Sequence, residues 1–303
     1  MKLILLSIFL TSNLFAGEDR TIHVEGPKSS RGMWTEFTSS TDENLRKLME
    51  LLEKSPTGAR LLKEAAYKAS RSGQSLKDVI KVGEGSLTDT TLVRKFSPHS
   101  PENVVYETRS VVYINRHLNW DDALLDLAHE LTHFVFREGF NPYSDSFNPK
   151  DFIKSTIEGT GGEVQAFMTE CRVLKELFSN NLQSRSHCTK IHENGQLSYS
   201  KAVDLFYHVG DYYESFGQQL QKRSIAGEFS QLASKKINFI SSAYGVPYPV
   251  AALMEYDLVI NKVCENDKKR LAYMQQGPKR GPASVSNEKA KFLNNYTLRC
   301  SSK

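Results

Sequence analysis

The chain has 303 residues, 39 lysines and arginines against 35 aspartates and glutamates, a formal net charge of +4, and 39 % hydrophobic residues. That is ordinary globular composition, enough for one large core or two small ones, and it excludes a collagen-like or wholly disordered chain. The charge excess is too small for a nucleic-acid surface, so no nucleic-acid partner is expected.

The N-terminus, Met1-Lys2-Leu3-Ile4-Leu5-Leu6-Ser7-Ile8-Phe9-Leu10, is a charged start followed by an apolar run, and Ala16-Gly17-Glu18 supplies a small residue before an acidic one. This is the pattern of a cleavable signal peptide over residues 1–16, too short to span a bilayer as a mature helix. The expected location is therefore secreted or periplasmic. In that setting four cysteines (Cys171, Cys188, Cys264 and Cys300) suggest two disulfides. The sequence-local pairing, Cys171 with Cys188 and Cys264 with Cys300, closes the shorter loops and is preferred. No C-x-x-C occurs, so a cysteine zinc site is not indicated.

After a β-like piece, Thr21-Ile22-His23-Val24, two amphipathic helices are predicted. The first runs over 42–53 with Leu45, Leu48, Met49 and Leu52 as its apolar stripe. The second opens at Pro56-Thr57 and carries Leu61, Leu62, Ala65, Ala66 and Ala69. Residues 71–100 are rich in Ser, Gly and Thr, with short β-like pieces such as Leu92-Val93-Arg94. Two β-branched runs, 103–107 and 111–115, flank the polar break Thr108-Arg109-Ser110 and read as a hairpin. A helix follows with no Gly or Pro between Trp120 and Arg137, and Asn119 and Asp121 are available to cap it. Residues 139–154, with Pro142 and Pro149, read as a loop, and 155–178 contain a second helix of interest. Residues 200–273 are helical in pattern. The chain then changes character. Residues 275–282 look like an extended linker opening a basic, flexible tail over 275–303, for which an anionic cell-envelope polymer is a candidate partner.

The chemistry concentrates at His129-Glu130-Leu131-Thr132-His133, inside the apolar-periodic helix. Residues four apart on a helix project from nearly one side, so His129 and His133 offer two imidazoles to a common point, as two ligands of a tetrahedral zinc would. Glu130 falls roughly 100° round the helix from His129. Its carboxylate is placed to reach a water without binding the metal. A third protein ligand is needed. Glu163 is favoured, because the glycines of Gly159-Thr160-Gly161-Gly162 end just before it and an apolar helix pattern begins there. Glu158 and Glu170 remain alternatives, and Glu170, two turns after Glu163 on the same face, is either the ligand itself or a carboxylate that supports one. Glu163 also fits a capping box with Thr160, in which it would only bond the cap's N–H. Asp126, one turn before His129, is either an exposed acid or the acceptor of a ligand imidazole's free N–H.

His129-Glu130-Leu131-Thr132-His133 followed by a glutamate-bearing helix resembles the zincin metallopeptidases of the gluzincin type. Glu163-Val164-Gln165-Ala166 resembles the E-x-x-A form of their third-ligand helix. The gap from His133 to Glu163 is longer than in thermolysin-like members. Arg137, Glu138 and Gly139 stand where the metzincin pattern would continue, which sets that subgroup aside. The resemblance covers roughly residues 100–178. It implies an α+β fold: a predominantly helical zincin-like domain with a small β-hairpin or sheet before the active-site helix and a helical C-terminal part. Residues 17–100 would be an N-terminal segment of the catalytic unit and 101–274 its core. It further implies zinc held by His129, His133 and Glu163, Glu130 as general base, and a monomer acting on a peptide or protein substrate. The strand 111–115 would offer backbone bonds to an extended peptide. In resembling enzymes a later Tyr or His supports the oxyanion, which makes Tyr207, His208, Tyr212 and Tyr213 candidates. The rival expectations are an exported binding or envelope-associated protein that retains a metal without turnover, and a narrow processing or envelope-remodelling hydrolase.

Overall fold

The computed structural model describes residues 32–97, 100–144, 146–178, 187–276 and 283–300. The expected signal peptide, the β-like piece at 21–24 and, of the linker expected over 275–282, residues 277–282 lie outside the described residues; Gln275 and Gln276 are helical.

Local chemistry explains where the first helices begin. Ser40 caps α1 (Thr41–Glu53) by accepting from the Glu43 N–H, and Ser55 caps α2 (Pro56–Arg71) by accepting from Gly58, with Pro56 in the first turn. Leu45, Leu48 and Leu52 of α1 and Leu61, Ala65 and Ala69 of α2 are buried. A short turn, α3 (Leu76–Val79), leads into the sheet.

The sheet has three strands in the order β1 (Ile80–Gly83), β3 (Ser100–Asn115), β2 (Leu87–Ser97). β3 runs parallel to β1, from Ile80↔Val112 to Gly83↔Asn115, and antiparallel to β2, from Leu87↔Tyr113 to Phe96↔Val104. The expected hairpin within 103–115 is corrected here. Thr108, Arg109 and Ser110 are not a turn but pair with Leu92, Thr91 and Thr90 in mid-strand. None of the three is a Gly, Asn or Pro that would bend the chain, and Thr favours extended backbone. Their polarity reflects an exposed ribbon face, with Thr108 and Arg109 open to solvent. The pairing of strand 111–115 is equally decisive. It is central, paired to β1 over 112–115 and to β2 over 111–113, so it is not the strand with an edge to offer.

Asn119 caps α4 (Trp120–Phe136) by accepting from the Asp122 N–H. α4 is the axis of the core. Ala123, Leu124, Leu125, Leu127, Ala128, Leu131 and Phe134 are buried against α1, α2, β3 and α6 (Glu163–Leu177). The loop expected over 139–154 is shorter than its prolines suggested. Asn148 caps α5 (Pro149–Glu158), and Pro149 sits in the first turn, where its missing N–H costs nothing. Glu176, near the end of α6, accepts from Thr57 N (2.9 Å), Thr57 Oγ1 (2.7 Å) and Ser55 Oγ, tying α6 to the start of α2.

The C-terminal part is helical: α7 (Tyr199–Phe206), α8 (Tyr213–Lys222), α9 (Tyr248–Gln276) and α10 (Ala283–Cys300). The tail expected to be flexible is therefore a helix over 283–300. It is held to α9 by Cys264–Cys300 and by Arg299 on Asp267 (3.1 Å). Composition pointed to a solvated tail because the residues that anchor it are distant in sequence. The second disulfide is Cys171–Cys188. Both bonds follow the sequence-local pairing and indicate an oxidising environment. Among the described residues no helix is long and apolar enough to cross a membrane.

Candidate metal centre

α4 and α6 carry the site. His129 and His133 project from one side of α4, with ring centroids 4.7 Å apart and planes at 78°. Glu163 is the first residue of α6. Its cap is Gly162, which makes no side-chain bond, so the capping box with Thr160 is absent and the Glu163 carboxylate is left to face the imidazoles. Glu163 Oε2 lies 3.3 Å from His129 Nε2, and Oε1 lies 3.5 Å from His133 Nε2.

The glycine turn makes this approach possible. Gly161 has φ +68°, and a Cβ there would sit 2.2 Å from the Arg137 nitrogen and 2.6 Å from the Phe136 carbonyl carbon. Only a residue without a side chain lets the start of α6 press against the end of α4. The same turn aims the Gly161 carbonyl at His133, whose Nδ1–H donates to it at 2.7 Å. His129 Nδ1 is bonded to Glu170 Oε1. Each imidazole is thus fixed through Nδ1 and presents Nε2 to the centre.

Those inward atoms have no hydrogen-bond partner. His129 Nε2, His133 Nε2 and Glu163 Oε2 are all buried and unsatisfied. Buried polar atoms are rarely left so, and three at one point suit a cation. The donor set fits. A tetrahedral zinc with bonds of about 2.0–2.1 Å places its ligand atoms about 3.3 Å apart. The separation of His129 Nε2 from Glu163 Oε2, 3.3 Å, matches that edge. His129, His133 and Glu163 could hold a metal ion. The group is closed except at one side: the His129 side chain is 13 % exposed, against 3 % for His133 and 5 % for Glu163.

Burial opposes protonation of His129, but the Glu170 and Glu163 carboxylates outweigh it and hold its pKa well above the usual imidazole range. Burial alone would raise Glu163. Instead the flanking His133 and His129 keep it well below the usual carboxylate range. Burial lowers His133, helped by the nearby Arg137 charge.

The other sequence candidates divide clearly. Glu130 is buried, and Thr88 Oγ1 of β2 donates toward its main-chain oxygen (2.8 Å) and its Oε2 (2.9 Å). Glu170 is the carboxylate behind His129, one of the two roles expected of it, whereas Asp126, weighed for the same place, bonds Ser86 instead. Glu158 stands apart. It accepts from Tyr207 Oη (2.6 Å) and Gln231 Nε2 (3.2 Å). Tyr207 and His208 are engaged elsewhere, on Glu158 and on Asp204 with Asn238, and Tyr213 is exposed. Three contributors escaped the sequence. Thr88 carries no local signal, and the Gly161 carbonyl is backbone. Arg137 did leave one: it follows His133 at the i+4 spacing that shares a face.

No protein-family model, no curated protein and no solved structure matches this chain.

Proposed function

We propose that the chain is an exported zinc-dependent metallopeptidase, with His129, His133 and Glu163 as the metal ligands and Glu130 as the general base. The observation that carries this reading is the convergence of three buried, unpartnered donor atoms, two of them 3.3 Å apart at the edge length of a tetrahedral site. When bound, zinc would supply polarisation of a carbonyl and a water acidic enough to act near neutral pH. Glu130 would act as the general base, accepting a proton from an attacking water and returning it to the leaving amine. Thr88 restrains the Glu130 carboxylate, which favours one orientation for both transfers. The same threonine ties the base to β2, and β2 is an outer strand of the sheet. An outer edge is where an extended peptide can add as a further strand through backbone bonds. The substrate-holding role expected of 111–115 therefore passes to β2. Export is supported by the two disulfides together with the signal-like N-terminus.

The test joins metal content to turnover. Elemental analysis of the purified chain should find about one zinc, and a broad peptide mixture should be cleaved unless chelator is present. Glu130→Gln should keep zinc while turnover falls by about 10²–10⁴-fold. Glu163→Ala should lose the metal where Glu158→Ala retains it. A Glu130→Gln protein of near-normal activity removes the base assignment. A zinc-loaded chain that cleaves nothing is a binding protein and not a peptidase.

A further inference from the structure

Arg137 follows the end of α4 and leaves it in extended conformation, its N–H still bonded to His133 O at 3.0 Å. Its backbone is held from the other side by the glycine turn, since Gly161 approaches too closely for a side chain. From this fixed base the guanidinium runs between two acceptors. Nη2 is 3.1 Å from Thr156 O, in the last turn of α5, and 3.4 Å from Glu163 Oε1. The Thr156 carbonyl lies among those a helix end leaves unsatisfied, and a cation there also suits the helix dipole. The Arg137 side chain is 31 % exposed and that of Glu163 5 %, so the arginine links a buried carboxylate to the surface.

The two oxygens of Glu163 are therefore not equivalent. Oε1 has a donor, whereas Oε2 is buried with none. Resting on the metal-site reading above, we propose that Arg137 is a positioning residue that engages Glu163 Oε1 and so leaves Oε2 alone for the ion. A carboxylate with both oxygens free can grip a cation with both, filling the place a catalytic site keeps for water. A guanidinium on one oxygen opposes that grip and draws charge from the carboxylate. Sequence position does not demand an arginine here, because α4 has already ended and its cap bond is made by backbone.

The experiment titrates zinc and cobalt(II) into the full metal-free chain and into Arg137→Met, with affinity read by competition against a chromophoric chelator. Visible absorption of the cobalt form reports coordination number, since four-coordinate cobalt absorbs far more strongly than five- or six-coordinate cobalt. Glu138→Gln, the adjacent charge change, is the control. Arg137→Met should bind zinc about tenfold more tightly and show a weakened cobalt spectrum, with the control unchanged in both. If Arg137 only joins α4 to α5, the folded variant will melt earlier yet keep the parent's spectrum and affinity, and the inference is overturned. If circular dichroism shows that Arg137→Met does not fold, Arg137→Gln replaces it with the same two readings. A parent chain that binds neither ion overturns the metal-site reading itself, which is a different result from a parent that binds and a variant that matches it.

Discussion

Asp126 lies one helical turn before His129, half-buried among other acids. Burial pushes its pKa up to about 7, with Ser86's hydrogen bond pulling it down and the Glu170 and Glu130 charges pushing it further up. A carboxyl raised in the folded state favours the protonated form. Its contribution to stability is complete below the unfolded value near 3.8 and is lost as pH rises through about 7. In chelator-treated protein, Asp126→Asn should therefore be more stable than the parent at pH 8, by about 1–4 kcal/mol. The gap should close by pH 4. Urea denaturation at the two pH values measures it, and a gap that does not change with pH rejects the assignment. At this scale the sequence was most informative where spacing is local. His129, Glu130 and His133 lie within five residues of one helix, so helical geometry alone sets their relation. The distribution of roles among Asp126, Glu158 and Glu170 was not legible, because it depends on how α6 lies across α4. That packing puts Glu170 behind His129 and leaves Glu158 with Tyr207.

Between α5 and α6 the glycine turn is the element on which the site depends. Gly161→Ala has two costs: a left-handed backbone of about 1–2 kcal/mol for a residue with a side chain, and a collision with the end of α4, for which overpacking typically costs about 1–3 kcal/mol more. Gly73 gives the comparison, since it has φ +70° but nothing within 4 Å of the point where a methyl carbon would stand. Gly73→Ala should lose only the first amount. Gly161→Ala should lose about 2–5 kcal/mol and also release metal, because the turn that carries the Gly161 carbonyl and Glu163 must move. Thermal unfolding with metal analysis of both variants decides it; equal losses, with metal retained in both, would show that the close approach is unimportant. Elements with local start signals were readable from sequence: the starts read at Asp42, Pro56 and Asn119 fall within a turn of the observed helix starts. β2 was seen only at Leu92-Val93-Arg94, since its polar half, Thr88 to Thr91, pairs as strand only because β3 lies beside it.

Across the whole molecule, the C-terminal helices are joined to the sheet by one buried charge cluster. Arg94 of β2 donates to Asp267 of α9 at 2.6 Å, and Arg299 of α10 donates to the same carboxylate at 3.1 Å. The Arg94 guanidinium also lies 3.9 Å from the centre of the Tyr143 ring, and Arg299 donates to the Tyr143 carbonyl at 2.9 Å. These contacts span separations of 173, 32 and 156 residues, which is why composition alone made the tail look free. The side chains of Arg94 and Asp267 are only 3 % and 2 % exposed, so water cannot compensate if either is removed. Asp267→Ala strips the shared counter-ion from two arginines at once and should cost about 3–5 kcal/mol. Arg299→Ala should cost less, because the Arg94–Asp267 pair survives and Arg299 is the more exposed partner at 11 %. By contrast Arg46 with Glu43 and Glu50 on α1 is open to solvent, and its loss should cost the least of the three. Denaturant titration of the three variants gives the order. If Asp267→Ala proves no more costly than the Arg46 change, then the Cys264–Cys300 bond and apolar packing hold α9 and α10 to the sheet without help from the buried charges.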